Sequence, residues 1–218
     1  MNREERINKI RAIDIYPVTC QEMSGGRTNL EILDAVMAAG AGIIQLREKN
    51  WTKKAIHDLA LEFRKRTYRQ QILLIINDHV DIALAVEADG VHLGQEDLPI
   101  AAARRISPGL IIGASSHNMA EALQAEKDGA DYVNIGPIFT TSTKKDAVHF
   151  LGTGAIREIG PRLSVPYTTM GGIHIGNIHQ VLETGARRVA MVTGINQSPD
   201  VVGRVRELRK IIRSEKAL

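Results

Sequence analysis

The feature that most constrains the fold of this 218-residue chain is an alternation that repeats along nearly all of it. Short β-branched runs stand at 13–19, 42–48, 72–78, 90–94, 110–116, 132–138, 165–170 and 188–195. Helical patterns follow them at 29–39, 52–68, 80–87, 100–106, 119–127, 154–159, 177–183 and 199–212. Strands that alternate with helices build βαβ units and a parallel sheet. The joints repeat too: Ala39-Gly40-Ala41-Gly42, Ala88-Asp89-Gly90, Gly129-Ala130-Asp131 and Gly185-Ala186-Arg187 each precede a run. Each reads as a helix stopped by a glycine in the left-handed conformation. An open doubly wound sheet is the alternative, but eight evenly spaced units favour a closed (β/α)8 TIM barrel. Residues 3–10 leave room for one extra N-terminal helix. No linker or composition shift divides the chain, so a single domain over 1–218 is expected.

Composition excludes several classes of function. No apolar run approaches the roughly 20 residues of a membrane span, and the charged start at 1–6 has no apolar run behind it to make a secretory signal. Cys20 is the one cysteine, which rules out an intrachain disulfide and suits a cytoplasmic protein. Its ordinary reading is a small apolar filler. A net charge of +3 is too small and too dispersed for nucleic-acid binding. The basic stretch from Arg204 onward is interleaved with Val205, Leu208, Ile211 and Ile212, so it reads as an amphipathic helix with a solvated basic face.

In a barrel of this kind chemistry gathers where the strands end. The second run ends Gln45-Leu46-Arg47-Glu48-Lys49, and a period of two puts Gln45, Arg47 and Lys49 on one face. Two cations there need an anion: either a ligand or acids such as Glu48 or Glu96. The third run delivers Asn77-Asp78, and the fourth continues to Asp97. Two carboxylates from neighbouring strand ends, with water and a substrate diphosphate, are a usual way to hold Mg²⁺. Asp97 has a second reading, as a cap for the helix after Pro99. The fifth run ends at Ser115-Ser116-His117, with no acidic residue immediately around the histidine. His92, inside a short apolar run, reads as a hydrogen-bonded core histidine. The segment Thr140-Thr141-Ser142-Thr143-Lys144-Lys145 is either a phosphate-closing loop or a surface loop. Gly171-Gly172 after the seventh run and Val192-Thr193 in the eighth suit the phosphate site that such barrels often build there.

Taken in order, these signatures resemble the thiamine-phosphate synthase family. The matching stretches are Gln45-Leu46-Arg47-Glu48-Lys49, Ile76-Asn77-Asp78, residues 90–99, Ile112-Gly113-Ala114-Ser115, Gly136-Pro137-Ile138-Phe139, Thr141-Ser142-Thr143-Lys144 and Gly171-Gly172-Ile173. The resemblance implies a Mg²⁺-dependent enzyme that couples hydroxymethylpyrimidine diphosphate to hydroxyethylthiazole phosphate and releases pyrophosphate. It implies that Gln45, Arg47, Lys49, Asn77, Ser115 and Lys144 hold the pyrimidine diphosphate. Asp78 and Asp97 would hold Mg²⁺. Thr141, Ser142, Thr143, Gly172, Val192 and Thr193 would surround the thiazole phosphate. Arg47, Lys49, Lys144 and Ser115 are the expected catalytic residues. Small-molecule substrates are the implied partners, with a homo-oligomer left open. Cys20, His79 and Thr140 depart from the family pattern, and Tyr167-Thr168-Thr169-Met170 is a more polar seventh strand than usual; these bear on the shape of the thiazole pocket. Two rival readings share the scaffold. A thiazole tautomerase would use His117 and no metal, and a non-catalytic regulator would only bind phosphate ligands. The retained second-run motif and the Asp78/Asp97 pair weigh against the first, and that pair with Lys144 against the second.

Overall fold

The computed structural model describes residues 1–141 and 150–215. The first helix, α1 (Arg3–Ala12), precedes the repeat. Then come β1 (Ile15–Pro17), α2 (Asn29–Ala38), β2 (Ile43–Leu46), α3 (Lys53–Arg69), β3 (Leu73–Asn77), α4 (Val80–Ala85), β4 (Gly90–Leu93) and α5 (Ile100–Ile106). The second half runs β5 (Ile111–Ser116), α6 (Met119–Lys127), β6 (Tyr132–Ile135), α7 (Gly154–Ile159), β7 (Tyr167–Thr169), α8 (Ile178–Leu182), β8 (Val189–Met191), α9 (Thr193–Asn196) and α10 (Val201–Ser214). All eight strands are parallel, in the order β1-β8-β7-β6-β5-β4-β3-β2. The two ends meet through a Val18–Gln45 bridge, where Thr19 N–H donates to the Gln45 carbonyl at 2.9 Å. The expected (β/α)8 barrel and its additional N-terminal helix are both present.

Closure buries both faces of every strand, so the period of two sorts side chains into two cores. Ile44, Leu46, Leu74, Ile76, Val91, Ile112, Val133 and Val189 point outward against the helices. Ile43, Leu73, Ile75, Ile111, Tyr132, Ala190 and Val192 fill the barrel interior, with Ile10 of α1 among them. Tyr132 needs a missing side chain opposite it: a Cβ on Gly113 would lie 2.0 Å from its ring.

The N-terminal end of the barrel is held by buried carboxylates. Asp131 accepts from the Ile112 N–H at 2.8 Å and pairs with Arg104 and Arg3, each at 2.5 Å. Asp89 accepts from the Leu74 N–H at 3.0 Å and pairs with Arg64 and Arg6. Asp14 does the same work for α10, binding Arg209 at 3.1 Å and Arg213 at 2.7 Å.

Several expectations are corrected. Gly40, Gly129 and Gly185 do carry positive φ, but in the joint before β4 Glu87 is the left-handed residue, at φ 53. Gly90 is small for another reason, since a Cβ there would sit 2.5 Å from the Ile111 carbonyl. The eighth run is not a strand to its end: it stops at Met191, and the helical turn α9 begins at Thr193. The last helix is amphipathic as expected, with Val205, Leu208 and Ile212 buried. Its basic face is not all solvated, because Arg209 and Arg213 are committed to Asp14. Among the described residues no helix is long and apolar enough to cross a membrane.

Removing one partner of a buried ion pair leaves the others uncompensated. Asp131→Ala is therefore expected to cost about 3 kcal/mol of unfolding free energy. Arg3→Ala, at a side chain 42% exposed, should cost under about 1 kcal/mol. Urea denaturation of both variants checks the ordering, and equal costs would remove Asp131 from this role.

Candidate functional site

The strand C-termini converge on a cavity of about 610 Å³, within the usual range for small-molecule sites. Gln45, Arg47, Lys49, Asn77, Asp78 and Asp97 line one side of it. Ser115, Thr141, Gly172, Val192 and Thr193 line the other. These are all the site residues implied by the family resemblance that fall within the described part of the chain. Ser142, Thr143 and Lys144 lie outside the described residues.

The charged side is built by β2, β3 and β4. Past the end of β2, the Lys49 ammonium lies 2.5 Å from Asp78 Oδ2. Asp78 sits at φ 63, a costly conformation for a residue other than glycine. Its N–H donates to the His92 carbonyl at 2.9 Å, which anchors the residue in that conformation. Asp97 does not cap the next helix, whose N-cap Pro99 has no side-chain bond. Its Oδ2 instead accepts from the Gly94 N–H at 2.6 Å. Burial, and then the neighbouring Asp78, push the Asp97 carboxyl above the usual carboxylate range. The two carboxylates thus face each other, and among the described residues no group of three metal-ligating side chains occurs.

Of the two acids named as counter-ions, Glu48 is engaged elsewhere, while Glu96 is exposed at the cavity. Glu48 accepts from the Gln21 N–H and from Asn29 Nδ2, both at 2.7 Å. Among the described residues no carboxylate lies within ion-pair distance of Arg47. A half-buried guanidinium with no carboxylate partner among the described residues, beside a cavity, is a natural anion contact. Burial, then Glu48, pushes the Cys20 thiol up, so its filler reading fits better than a nucleophile.

Sequence reasoning missed part of the floor. His92 is a hydrogen-bonded core histidine as expected, but it also lines the cavity. Burial lowers it to about 4, so it is neutral. Its ring nitrogens lie 3.0 Å from Tyr132 Oη and 3.0 Å from Ser115 Oγ. Asn134, another lining residue, is held by the Thr168 hydroxyl at 2.9 Å. The polar seventh strand has its use here. Strand periodicity was the available signal, since Asn134 stands opposite Ser115 in register. His117 is a further correction: its acidic partner is Glu121, one helical turn on, at 2.9 Å from Nδ1. Both line the cavity.

The far side is made of backbone. Gly171 and Gly172 carry φ of 104 and 63. A Cβ on Gly172 would lie 2.2 Å from the Thr140 carbonyl, and one on Gly171 2.5 Å from Pro137. These glycines let the loops after β6 and β7 pack directly on each other, which brings main chain to the cavity wall.

A carboxyl whose folded-state value is raised opposes folding in its charged form. That cost is absent at low pH and grows as pH rises through the raised value. Asp97→Asn is therefore expected to stabilise the ligand-free chain at about pH 8, with the gain fading by about pH 4. Denaturation at both values checks the sign, and destabilisation at the higher pH would contradict the assignment.

Comparison with known proteins adds an independent line. A family model described as thiamine monophosphate synthase matches residues 15–195. A thiamine-phosphate synthase from Chloroflexus aurantiacus is 43% identical over 206 residues, covering 94% of this chain and 95% of the relative. One from Shouchella clausii is 42% identical over 188 residues, with 86% and 90% covered. Among solved structures, a thiamine phosphate pyrophosphorylase from Pyrococcus furiosus superposes with a TM-score of 0.87 at 35% identity, covering 96% of this chain and 98% of that one. With near full-length matches and a polar rim in the expected place, the chain belongs to the thiamine-phosphate synthase family.

Proposed function

We propose that this chain couples hydroxymethylpyrimidine diphosphate to hydroxyethylthiazole phosphate, giving thiamine phosphate and pyrophosphate. The observation that carries the reading is the juxtaposition on one rim of a facing carboxylate pair, Asp78 and Asp97, with the cations Arg47 and Lys49. The neighbouring Asp78 raises the proton affinity of Asp97, which favours a cation between the two, and Lys49 already occupies part of that role. The donor set fits Mg²⁺, which takes oxygen ligands and keeps several waters. Asp78 and Asp97 would hold it, and it would neutralise charge on the diphosphate.

In the reaction the bond between the pyrimidine methylene carbon and the diphosphate oxygen breaks, its electron pair leaving with the oxygen. The thiazole nitrogen gives its lone pair to that carbon, forming the C–N bond, so no strong base is required. The work of the chain is to stabilise the departing charge and to hold both partners in line. Arg47 and Lys49 face the leaving group, and Lys144 joins them in this reading. Asn77 and Ser115 orient it, while Gln45 faces the pyrimidine. Thr141, Gly172, Val192 and Thr193, with Ser142 and Thr143, form the thiazole phosphate side. A closed barrel floor keeps water from the reacting carbon. A single reduced thiol suits a cytoplasmic setting.

Purified protein with both substrates and Mg²⁺ is expected to form thiamine phosphate, and EDTA should abolish it. Asp78→Asn should lower kcat by at least about 10²-fold. His117→Ala should stay within about tenfold, because coupling needs no proton moved at carbon. Chromatographic product analysis checks all three. Thiazole isomerisation that survives EDTA, with no coupling, would sink the reading.

A further inference from the structure

The barrel interior contains a continuous run of hydrogen bonds joining two cavity residues, Gln45 and Ser115, through three groups that the reaction above does not use. Gln45 Nε2 donates to Tyr16 Oη at 3.0 Å. Tyr16 Oη and Tyr132 Oη are 2.9 Å apart. Tyr132 Oη lies 3.0 Å from His92 Nδ1, and His92 Nε2 lies 3.0 Å from Ser115 Oγ. Gln45, Tyr16, Tyr132 and His92 are all buried.

Each link is neutral. From about pH 8 to about pH 10 a buried phenol keeps its proton and an imidazole carries only one. A neutral phenol has one hydrogen to give, and a neutral imidazole has one donor and one acceptor. A buried hydroxyl that failed to donate would cost free energy, so the direction of one link dictates the next. The Gln45 amide gives a hydrogen to Tyr16, and Tyr16 passes its own to Tyr132. Tyr132 donates to His92 Nδ1, which leaves the imidazole hydrogen on Nε2, aimed at Ser115 Oγ.

We infer that Gln45 and Ser115 are coupled through Tyr16, Tyr132 and His92 as one polarised hydrogen-bond chain, whose direction makes the Ser115 hydroxyl a donor toward the cavity. Tyr16, Tyr132 and His92 are positioning residues that act through Ser115. The same direction leaves the Gln45 carbonyl oxygen as an acceptor. The site then selects a ligand carrying an N–H group at one end and an anionic oxygen at the other. Resting on the function proposed above, these are the amino group of the pyrimidine and an oxygen of its diphosphate. Reversing the chain would present the wrong sense of hydrogen bond at both ends together.

The test uses ¹⁵N-histidine NMR on the full-length chain without ligand, the His92 signals being assigned with His92→Gln. In the wild-type chain His92 is expected as the Nε2–H tautomer. Gln45→Glu puts an acceptor where the chain needs a donor, and recording at about pH 10 keeps even a buried carboxyl ionised. The chain should reverse, and the two ring nitrogens of His92 should exchange their protonated and unprotonated shifts. In a Tyr132→Phe background, where the chain is cut, Gln45→Glu should leave the His92 signals unchanged. A wild-type Nδ1–H tautomer, or an unchanged tautomer in folded Gln45→Glu, overturns the inference. Thiamine phosphate formation by the wild-type chain is measured separately. Reversal without synthesis would retire the reaction and keep the chain, and synthesis with a fixed tautomer would do the opposite.

Discussion

Everything in this molecule depends on the closing of the parallel sheet. A single bridge, Val18 to Gln45, joins the end of β1 to β2, and β7 meets β8 at one pair, Thr169 and Val189, whereas the other strand pairs run over three or four residues. Yet that closure forces eight strand ends onto one rim. It brings Ser115 of β5 and Thr193 beyond β8 into the same cavity as Asp78 beyond β3. In an open sheet, Asp78 and Asp97 would still be neighbours, but the far wall of Gly172 and Val192 would not face them.

Closure also creates an enclosed interior, and this chain fills it partly with polar groups. Burying them is tolerable because each finds a partner along the run from Gln45 to Ser115. Gly113 is the complement of that run, since only a missing side chain leaves space for Tyr132. Packing and polarity are thereby solved by the same pair of residues on adjacent strands.

The two ends of the barrel treat carboxylates in opposite ways. At the N-terminal end Asp14, Asp89 and Asp131 are each matched by arginines, and Asp89 and Asp131 also by a backbone N–H of the preceding strand. At the C-terminal end Asp78 and Asp97 face each other, and among the described residues Lys49 is the cation paired there. The first arrangement stabilises the fold. The second leaves charge less fully matched by the described residues, which is a usual signature of a functional site.

The sequence by itself determined the eight strands and the helices that alternate with them, because a period of two and a period of 3.6 leave different apolar patterns. It also placed Gln45, Arg47, Lys49, Asn77, Asp78 and Asp97 near strand ends, and a polar residue at the end of an apolar run is visible without coordinates. It did not end the eighth strand correctly, since Val192-Thr193-Gly194-Ile195 is as β-branched as a strand and only its surroundings turn it into α9. Nor did it find the partners. Tyr16 and Tyr132 are 116 residues apart, and Glu48 looks as available to Arg47 as to Asn29 until the loop after β1 is folded against it. Local pattern fixes which way a side chain points from its own strand. Which groups it then meets is decided by register and closure, and these are properties of the whole barrel.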